Sequence, residues 1–468
     1  MSRAEVVLQD AHLEDLRRLV TRPDGVEGAA YLLSGEARIA ADPWDRQARR
    51  RLLSHSVVPI PATDLISSGP THVTWSTVSY VRLLRQADEA GLVVGVVHIH
   101  PRGPATFSEQ DDRNEAELAR MARNRNGEGA GLLSLLLTGD GALRARLWLG
   151  PTKLIPCDTV TVVGRRLVIH DQRPASTDMD DVLARQILAF GPEVTARLRR
   201  LKVVIVGCGG TGSATAMLLA RLGVGQIVLI DDDIVEASNL NRLHLAGRQH
   251  ADGMRSKAEV LAEEIAKLGL GVRVIALRRW VGHADCRDAL RAADVVFGCT
   301  DDHDGRMLIN RLAYFYLVPV IDMGLVIQPR EGGGFKDLSG RVTVVTPGAP
   351  CLLCRGVVDP VTARDEDLRR QNPEEYERRK REAYVRGGGD PAPAVVTFTT
   401  ETAIMAVNEL LAGLTGFRDE GWVWNRTRRF DLLEDRRPGA DQDPHCPVCA
   451  DQAYWGRGDV KPFLDRAG

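Results

Sequence analysis

No run of about eighteen consecutive apolar residues occurs in this chain, so it offers no membrane-spanning helix. Its first residues, MSRAEVVLQDAHLEDLRRLV, are charged and lack the apolar core of a signal peptide. Neither charge is in excess: 61 Lys and Arg against 63 Asp and Glu leave a net charge of -2. That near-balance removes the electrostatic reason to expect nucleic acid or an acidic membrane surface as a partner. No repeat of solenoid length stands out. Cysteine is scarce, with eight in 468 residues, and four of these stand in two CxxC pairs. Such usage suits intracellular thiols and metal ligands rather than a disulfide framework. Together the absences predict a soluble protein in the cytoplasm. What is present is enough apolar material for proper cores, 44% of residues, in a chain long enough for two or three domains.

Residues 1–170 mix short strands with helices. Tyr31-Leu32-Leu33 and Leu53 to Ile60 read as strands, and Leu92 to Ile99 as a buried one. Val78, Val81, Leu84 and Ala87 share a helical face, with Gly91 as the stop. Leu132 to Leu137 and Ala145 to Leu149 read as strands joined by a turn at 138–141. A polar, Pro-containing stretch at 171–181 reads as a linker. From 182 to 468 strands and helices alternate, which argues for a parallel sheet with covering helices. The expected strands are Val203–Val206, Gln226–Ile230, Val272–Ala276, Asp294–Phe297 and Val318–Ile321. The expected helices are Ser213–Leu222, Ser256–Leu268 and one through Asn310. The charged stretch at 359–390 reads as a solvated helix or mobile loop, with an interaction surface as the alternative.

Alternation on a strand puts His98 and His100 on one face, where both imidazoles reach one metal. Ser108 and Asp111, three apart at a helix start, share a side. Two His and a carboxylate make a three-ligand zinc site with an open position, the arrangement of a catalytic site. The bland alternative is a pair of ordinary histidines and a capping box. The ordered set His98-x-His100-Pro101, Ser108 and Asp111 resembles the HxHPx(6)SxxD signature of JAMM zinc metalloproteases of the MPN fold. The resemblance implies an upstream glutamate as general base, at Glu27 before a strand ending in glycine, with Glu36 close by. It also implies that Ser108 steadies the tetrahedral oxyanion.

A strand, then Gly207-Cys208-Gly209-Gly210-Thr211-Gly212, then a helix describes a phosphate-binding turn. Asp231 or Asp232 stands where a ribose hydroxyl is bound, which alone would also suit an NAD-dependent dehydrogenase. The following stretch, Asp231 to Arg242, resembles the DxDxVExSNLNR segment of ubiquitin-activating-type adenylyltransferases, the ThiF/MoeB superfamily. Lys257, the Cys299-Thr300-Asp301 motif with Arg306, and the Arg185-Gln186-Ile187 segment match the same family. The resemblance implies that Gly207, Gly209, Gly210 and Gly212 cradle ATP and Asp231 holds the ribose. Asn239 positions phosphates and metal, and Asp301 holds Mg2+. Arg242 and Lys257 offset charge, and Arg185 reaches the nucleotide across a homodimer.

Cys351-x-x-Cys354 and Cys446-x-x-Cys449 are paired knuckles of a closed structural zinc site. Two departures from the family stand out. Residues 355–400 hold no transfer cysteine, and Cys157, Cys208, Cys286 and Cys299 are poorly placed to replace one. Leu243 stands where the family has glutamine, with His244 next to it.

The expected fold is therefore α/β. An MPN-like α+β domain with a mixed sheet and helices (1–170) precedes a Rossmann-like doubly wound ThiF-type domain (182–468) with a zinc knuckle and a crossover segment at 355–397. The expected activity is bifunctional: ATP-dependent adenylation of the C-terminal glycine of a ubiquitin-like or sulfur-carrier-like protein, and zinc-dependent hydrolysis of peptide or isopeptide bonds after it. Expected cofactors are ATP, Mg2+, a catalytic Zn2+ and a structural Zn2+. A separate conjugating enzyme or sulfurtransferase would supply the thiol. The resemblance extends to bacterial ubiquitin-like conjugation systems, some linked to antiviral defence. Alternatives are sulfur-carrier activation with release of a small product, and a scaffold with one inactive site.

Overall fold

The computed structural model describes residues 3–173, 181–381 and 393–459. Residues 174–180 of the expected linker and 382–392 of the expected crossover segment lie outside the described residues. The chain divides into two compact units. The first gathers the described residues of Met1–Ala175, Phe315–Leu317 and Ala453–Phe463, and the second those of Ser176–Tyr314 and Val318–Gln452.

The first unit runs β1 (Arg3–Gln9), α1 (Asp10–Val20), β2 (Ala29–Ile39), β3 (Arg49–Pro59), β4 (Leu65–Gly69), β5 (His72–Trp75), α2 (Val78–Ala90), β6 (Val93–His100), α3 (Glu109–Asn126), β7 (Leu132–Thr138), β8 (Leu143–Trp148), β9 (Leu154–Val163) and β10 (Leu167–Asp171). Eight strands form a mixed sheet in the order β1-β3-β2-β6-β7-β8-β9-β10, and a parallel pairing of β1 with β9 curls it back on itself. β4 and β5 form a separate hairpin. The apolar run of β6 is explained by burial on both faces. Val97 and Ile99 join one core cluster with Leu8, Leu16 and Leu133. Val94 and Val96 join another with Tyr31, Tyr80, Leu84 and Leu118. His98 and His100 follow Val94 and Val96 in the period of two, so they belong to the face covered by α2 and α3.

Two local expectations are corrected here. The buried face of α2 is Tyr80, Leu83, Leu84 and Ala87, while Val78 is 54% exposed. The helix is rolled because Tyr80 turns inward and its hydroxyl donates to the Leu118 carbonyl at 3.0 Å. Gly91 ends the helix at φ 64, where a side chain is disfavoured. β2 does not end at Gly35 but continues to Ile39, through a register shift at Leu33/Ser34. The glycine serves a close approach instead: a Cβ on Gly35 would lie 2.1 Å from the carbonyl oxygen of Gly456. The same stretch is stitched by Glu36 bridging Gly458 and by Asp459 N donating to Glu36 O at 2.7 Å.

The second unit runs α4 (Ala184–Phe190), α5 (Pro192–Arg200), β11 (Lys202–Val206), α6 (Gly210–Arg221), β12 (Gln226–Ile230), α7 (Arg248–Asp252), α8 (Lys257–Lys267), β13 (Arg273–Leu277), α9 (Arg287–Ala292), β14 (Val295–Gly298), α10 (His303–Phe315), β15 (Val320–Pro329), β16 (Phe335–Val345), α11 (Pro360–Gln371), α12 (Pro373–Arg381), α13 (Val396–Thr415), β17 (Asn425–Arg429) and β18 (Glu434–Arg436). Its sheet has the order β13-β12-β11-β14-β15-β16-β17-β18. The first five are parallel and the last three antiparallel. β15 begins later and runs longer than the sequence suggests, because it pairs along its length with β16. Strand order reverses beside β11, so the crevice beyond the end of β11 is the natural ligand site of this sheet. The charged stretch forms α11 and α12 within its described part. No described helix is long and apolar enough to cross a membrane.

Gly35→Ala is expected to destabilise the first unit by about 1–3 kcal/mol, because backbone rather than a flexible side chain must yield. Urea unfolding of the full chain would read this as a lower midpoint.

Candidate functional sites

The first site forms where β6 stops. His98 and His100 end the strand, and Ser108 caps α3 so that Asp111 faces them. Ser108 Oγ accepts from Asp111 N at 3.2 Å, while Asp111 Oδ2 accepts from Ser108 N at 2.7 Å and Ser108 Oγ at 2.8 Å. The capping box and the candidate ligand are thus one device: the box aims the carboxylate. Asp111 Oδ1 lies 3.3 Å from His98 Nε2, and Asp111 Oδ2 lies 3.6 Å from His100 Nε2. His100 Nδ1 bonds the Pro104 carbonyl at 3.2 Å; as its donor, Nδ1 leaves Nε2 free as a metal donor.

The donor set fits a zinc ion. Tetrahedral zinc with N and O ligands at about 2.0–2.2 Å sets ligand atoms a little over 3 Å apart. One ligand atom from each of His98, His100 and Asp111 lies within 4.8 Å of the others. His98 Nε2 is buried, and although close to Asp111 it makes no hydrogen bond among the described residues, the kind of orphan a metal would satisfy. Burial raises the Asp111 carboxyl, but the adjacent His100 and His98 imidazoles and the Ser108 N–H outweigh it and hold the group well below the usual carboxylate range.

Glu27 is buried, its Oε1 3.9 Å from His100 Nε2. Its backbone is tied to the β4–β5 hairpin, with Glu27 N donating to Gly69 O at 2.8 Å. Burial raises the Glu27 carboxyl, and the nearby imidazoles offset this only in part. Glu36, the neighbouring candidate, is taken up by Arg38 and Arg50. A cavity of about 330 Å³ opens beside these residues, walled by the hairpin (His72 to Trp75) and by α3. Sequence reading missed the hairpin wall, since its strands are too short to show a period.

The second site lies at the end of β11. Gly207 has φ 90, and a Cβ there would lie 2.8 Å from the Cys299 backbone; a Cβ on Gly212 would lie 1.9 Å from Gly207 O. Gly209 and Gly210 open α6, whose N-terminus faces the crevice. Asp231 Oδ2 accepts from Cys208 N at 2.6 Å, and Asp231 Oδ1 from Asp233 N at 2.8 Å. Burial pushes the Asp231 carboxyl up to about 6 despite Lys257 and these two donors. Asp232 is exposed. Lys257 Nζ pairs with Asp233 at 2.7 Å; burial disfavours its charge, but Asp231, Asp233 and Asp301 outweigh this and raise its pKa. Asp231, Lys257 and Asp301 therefore share one field.

The other expected residues make local contacts. Asn239 is buried, with its Oδ1 accepting from Glu236 N at 3.2 Å. Arg242 folds back on its own loop, donating to Ser238 O at 2.8 Å. Arg185 is exposed on α4. Leu243 packs in a small cluster with Val235 and Val260, and His244 Nε2 meets Thr400 Oγ1 at 2.9 Å. Burial raises the thiols of Cys157, Cys208, Cys286 (to about 12) and Cys299, so none offers a ready thiolate.

Cys351, Cys354, Cys446 and Cys449 converge, with Sγ atoms within 4.8 Å of one another. Cys351 to Cys446 is 3.6 Å and Cys354 to Cys449 is 3.5 Å. Tetrahedral zinc with Zn–S near 2.3 Å requires sulfur edges of about 3.8 Å, so the four thiols fit a closed structural ion.

A Rossmann-like unit with this turn and cysteine cluster, preceded by a unit with a His-x-His and Asp site, defines the class. The chain belongs to the ThiF family, whose model matches residues 183–448. Residues 9–149 match the prokaryotic homologs of the JAB domain. The "SAMP-activating enzyme E1" of Haloferax volcanii is 32% identical over 166 residues, covering 35% of this chain and 56% of that protein. The "Sulfur carrier protein ThiS adenylyltransferase" of Escherichia coli is 35% identical over 166 residues, covering 35% and 61%. The "Adenylyltransferase and sulfurtransferase MOCS3" of Mus musculus is 29% identical over 259 residues, covering 54% and 48%. The chain thus spans about half the length of the curated relatives it matches.

Purified with zinc, the full chain is expected to bind one ion at each cluster. His98→Ala should remove the first ion with little loss of stability. Cys351→Ser should remove the second and lower the unfolding midpoint sharply, because structural zinc binding is folding free energy. Elemental analysis beside denaturant titration checks both.

Proposed function

We propose that this chain adenylates the C-terminal glycine of a ubiquitin-like protein and hydrolyses peptide or isopeptide bonds that follow that glycine. The observation that carries the reading is the pairing, on one chain, of the Asp231–Lys257–Asp301 cluster at a phosphate turn with the Glu27, His98, His100 and Asp111 set. Both chemistries converge on a protein C-terminus, one activating it and the other freeing it.

For activation, Gly207, Gly209, Gly210 and Gly212 let the backbone approach the phosphates, and Asp231 accepts from the ribose. The substrate carboxylate attacks the α-phosphorus and pyrophosphate leaves. Lys257 and Arg242 offset the charge that builds, with Arg242 released from Ser238 for the purpose. Asp301 would hold Mg2+, and Asn239 would fix the phosphate loop. Arg185 would act from a second copy, which makes a homodimer part of the proposal. With no ready thiolate among the cysteines outside the zinc cluster, the acyl-adenylate passes to a thiol or amine on a conjugating enzyme or sulfurtransferase.

For hydrolysis, His98, His100 and Asp111 would hold zinc, which supplies Lewis acidity at the scissile carbonyl. Glu27, raised by burial, takes the proton of the attacking water and delivers it to the leaving amine. Ser108 spends its hydroxyl proton on Asp111; steadying an oxyanion requires that it rotate away.

A second reading, sulfur-carrier activation, is favoured by the relatives' names; the missing crossover cysteine is neutral between the two. It differs in its product, a thiocarboxylate.

With ATP, Mg2+ and a small Gly-ending ubiquitin-like protein, intact-mass spectrometry should show an AMP adduct that Asp301→Ala abolishes. Absence of both adduct and pyrophosphate release would overturn the adenylation reading. On the same protein carrying a C-terminal extension, Glu27→Gln should slow cleavage about 10²–10⁴-fold. Cleavage at the wild-type rate would remove Glu27 from the mechanism.

A further inference from the structure

Behind the hydrolase site lies a charged group that the mechanism above does not use. Arg146, on β8, is nearly enclosed, with 8% of its side chain exposed. Its Nε donates to Glu115 Oε2 at 2.7 Å, and its Nη1 pairs with Asp112. Its guanidinium carbon sits 3.8 Å from the centre of the Phe107 ring. Phe107 in turn meets the His98 ring edge-on, with centroids 6.1 Å apart. Asp112 follows Asp111 in the first turn of α3, and Glu115 lies one turn further along the same helix. Glu115 is itself anchored to the sheet, accepting from Ser134 Oγ at 2.6 Å and Trp148 Nε1 at 2.7 Å. One buried cation thus touches both the helix turn that carries Asp111 and the ring that abuts His98.

The arrangement suits arginine in particular. A planar guanidinium can send its N–H groups to two carboxylates while laying its face on an aromatic ring. Arg146 Nη2 has no hydrogen-bond partner among the described residues. A lysine would neutralise Glu115 equally well but could not press a flat face against Phe107.

We propose that Arg146 is a positioning residue for the zinc site: through Asp112 and Glu115 it fixes the turn bearing Asp111, and through Phe107 it fixes the His98 imidazole. The proposal rests on His98, His100 and Asp111 being zinc ligands.

The test is zinc affinity of the full chain by chelator competition, with the cobalt-substituted spectrum beside it. The His98→Ala protein, which retains the four-cysteine site, supplies the background to subtract. Arg146→Lys keeps the ion pair with Glu115, and Phe107→Leu keeps Arg146 but removes the ring. Both variants are expected to weaken zinc at this site about 10–100-fold, the usual cost of losing an outer-shell partner. Both should also shift the cobalt bands while the melting transition stays near wild type. If Arg146→Lys melts early, Phe107→Leu carries the test alone. Wild-type affinity and an unchanged cobalt spectrum in Phe107→Leu would overturn the proposal and leave Arg146 as the counter-charge of Glu115. If His98→Ala changes neither zinc content nor spectrum, the zinc-site reading itself fails, and that failure is distinguishable.

Discussion

Each candidate site begins at the end of a strand buried on both faces. β6 and β11 are packed on each side by apolar residues, and their ladders fix every side chain to a face. At the strand end polar side chains gather while the backbone stays paired, as His98 and His100 do with β7. His98 and His100 stand at the end of one such strand, and the turn beginning at Gly207 at the end of the other. A shift of one residue in β6 would send both imidazoles into the opposite core. The rigidity of the strand therefore sets the position of the chemistry.

Burial acts differently on the two key carboxylates, and the difference tracks their partners. Asp111 receives two neighbouring imidazoles and the donors of Ser108, and these outweigh desolvation. Asp231 receives two backbone donors and the more distant Lys257, and burial prevails. The first is arranged as a permanent anion suited to a cation. The second keeps both carboxylate oxygens on backbone N–H groups, with its pKa raised by burial. Glu27 resembles the second case, raised by burial that the nearby imidazoles offset only in part.

Local order in the first site has a double cause. Ser108 is at once a helix cap and the group that orients Asp111, so helix formation and the aiming of that carboxylate are the same event. The zinc cluster of the second unit works at longer range, closing a loop between Cys351–Cys354 and Cys446–Cys449 around α11 to α13 and β17 to β18.

Much of this was legible in the sequence. The β6 run, the Pro101 stop, the Ser108–Asp111 spacing, the glycine turn and the paired CxxC motifs each carry a local physical signature. Alternation puts His98 and His100 on one face and the helix start puts Ser108 with Asp111; that the two pairs meet was implied by the resemblance to the JAMM signature. What escaped were features decided by distant contacts. Gly35 read as a strand end, yet it admits the Gly456 backbone. Val78 read as core, yet Tyr80 takes that place to reach Leu118. The hairpin wall at His72 to Trp75 and the link from Arg146 to Phe107 join segments remote in the chain. No periodicity marks such pairs, because the energy that fixes them is gained only when the sheet has already brought them together.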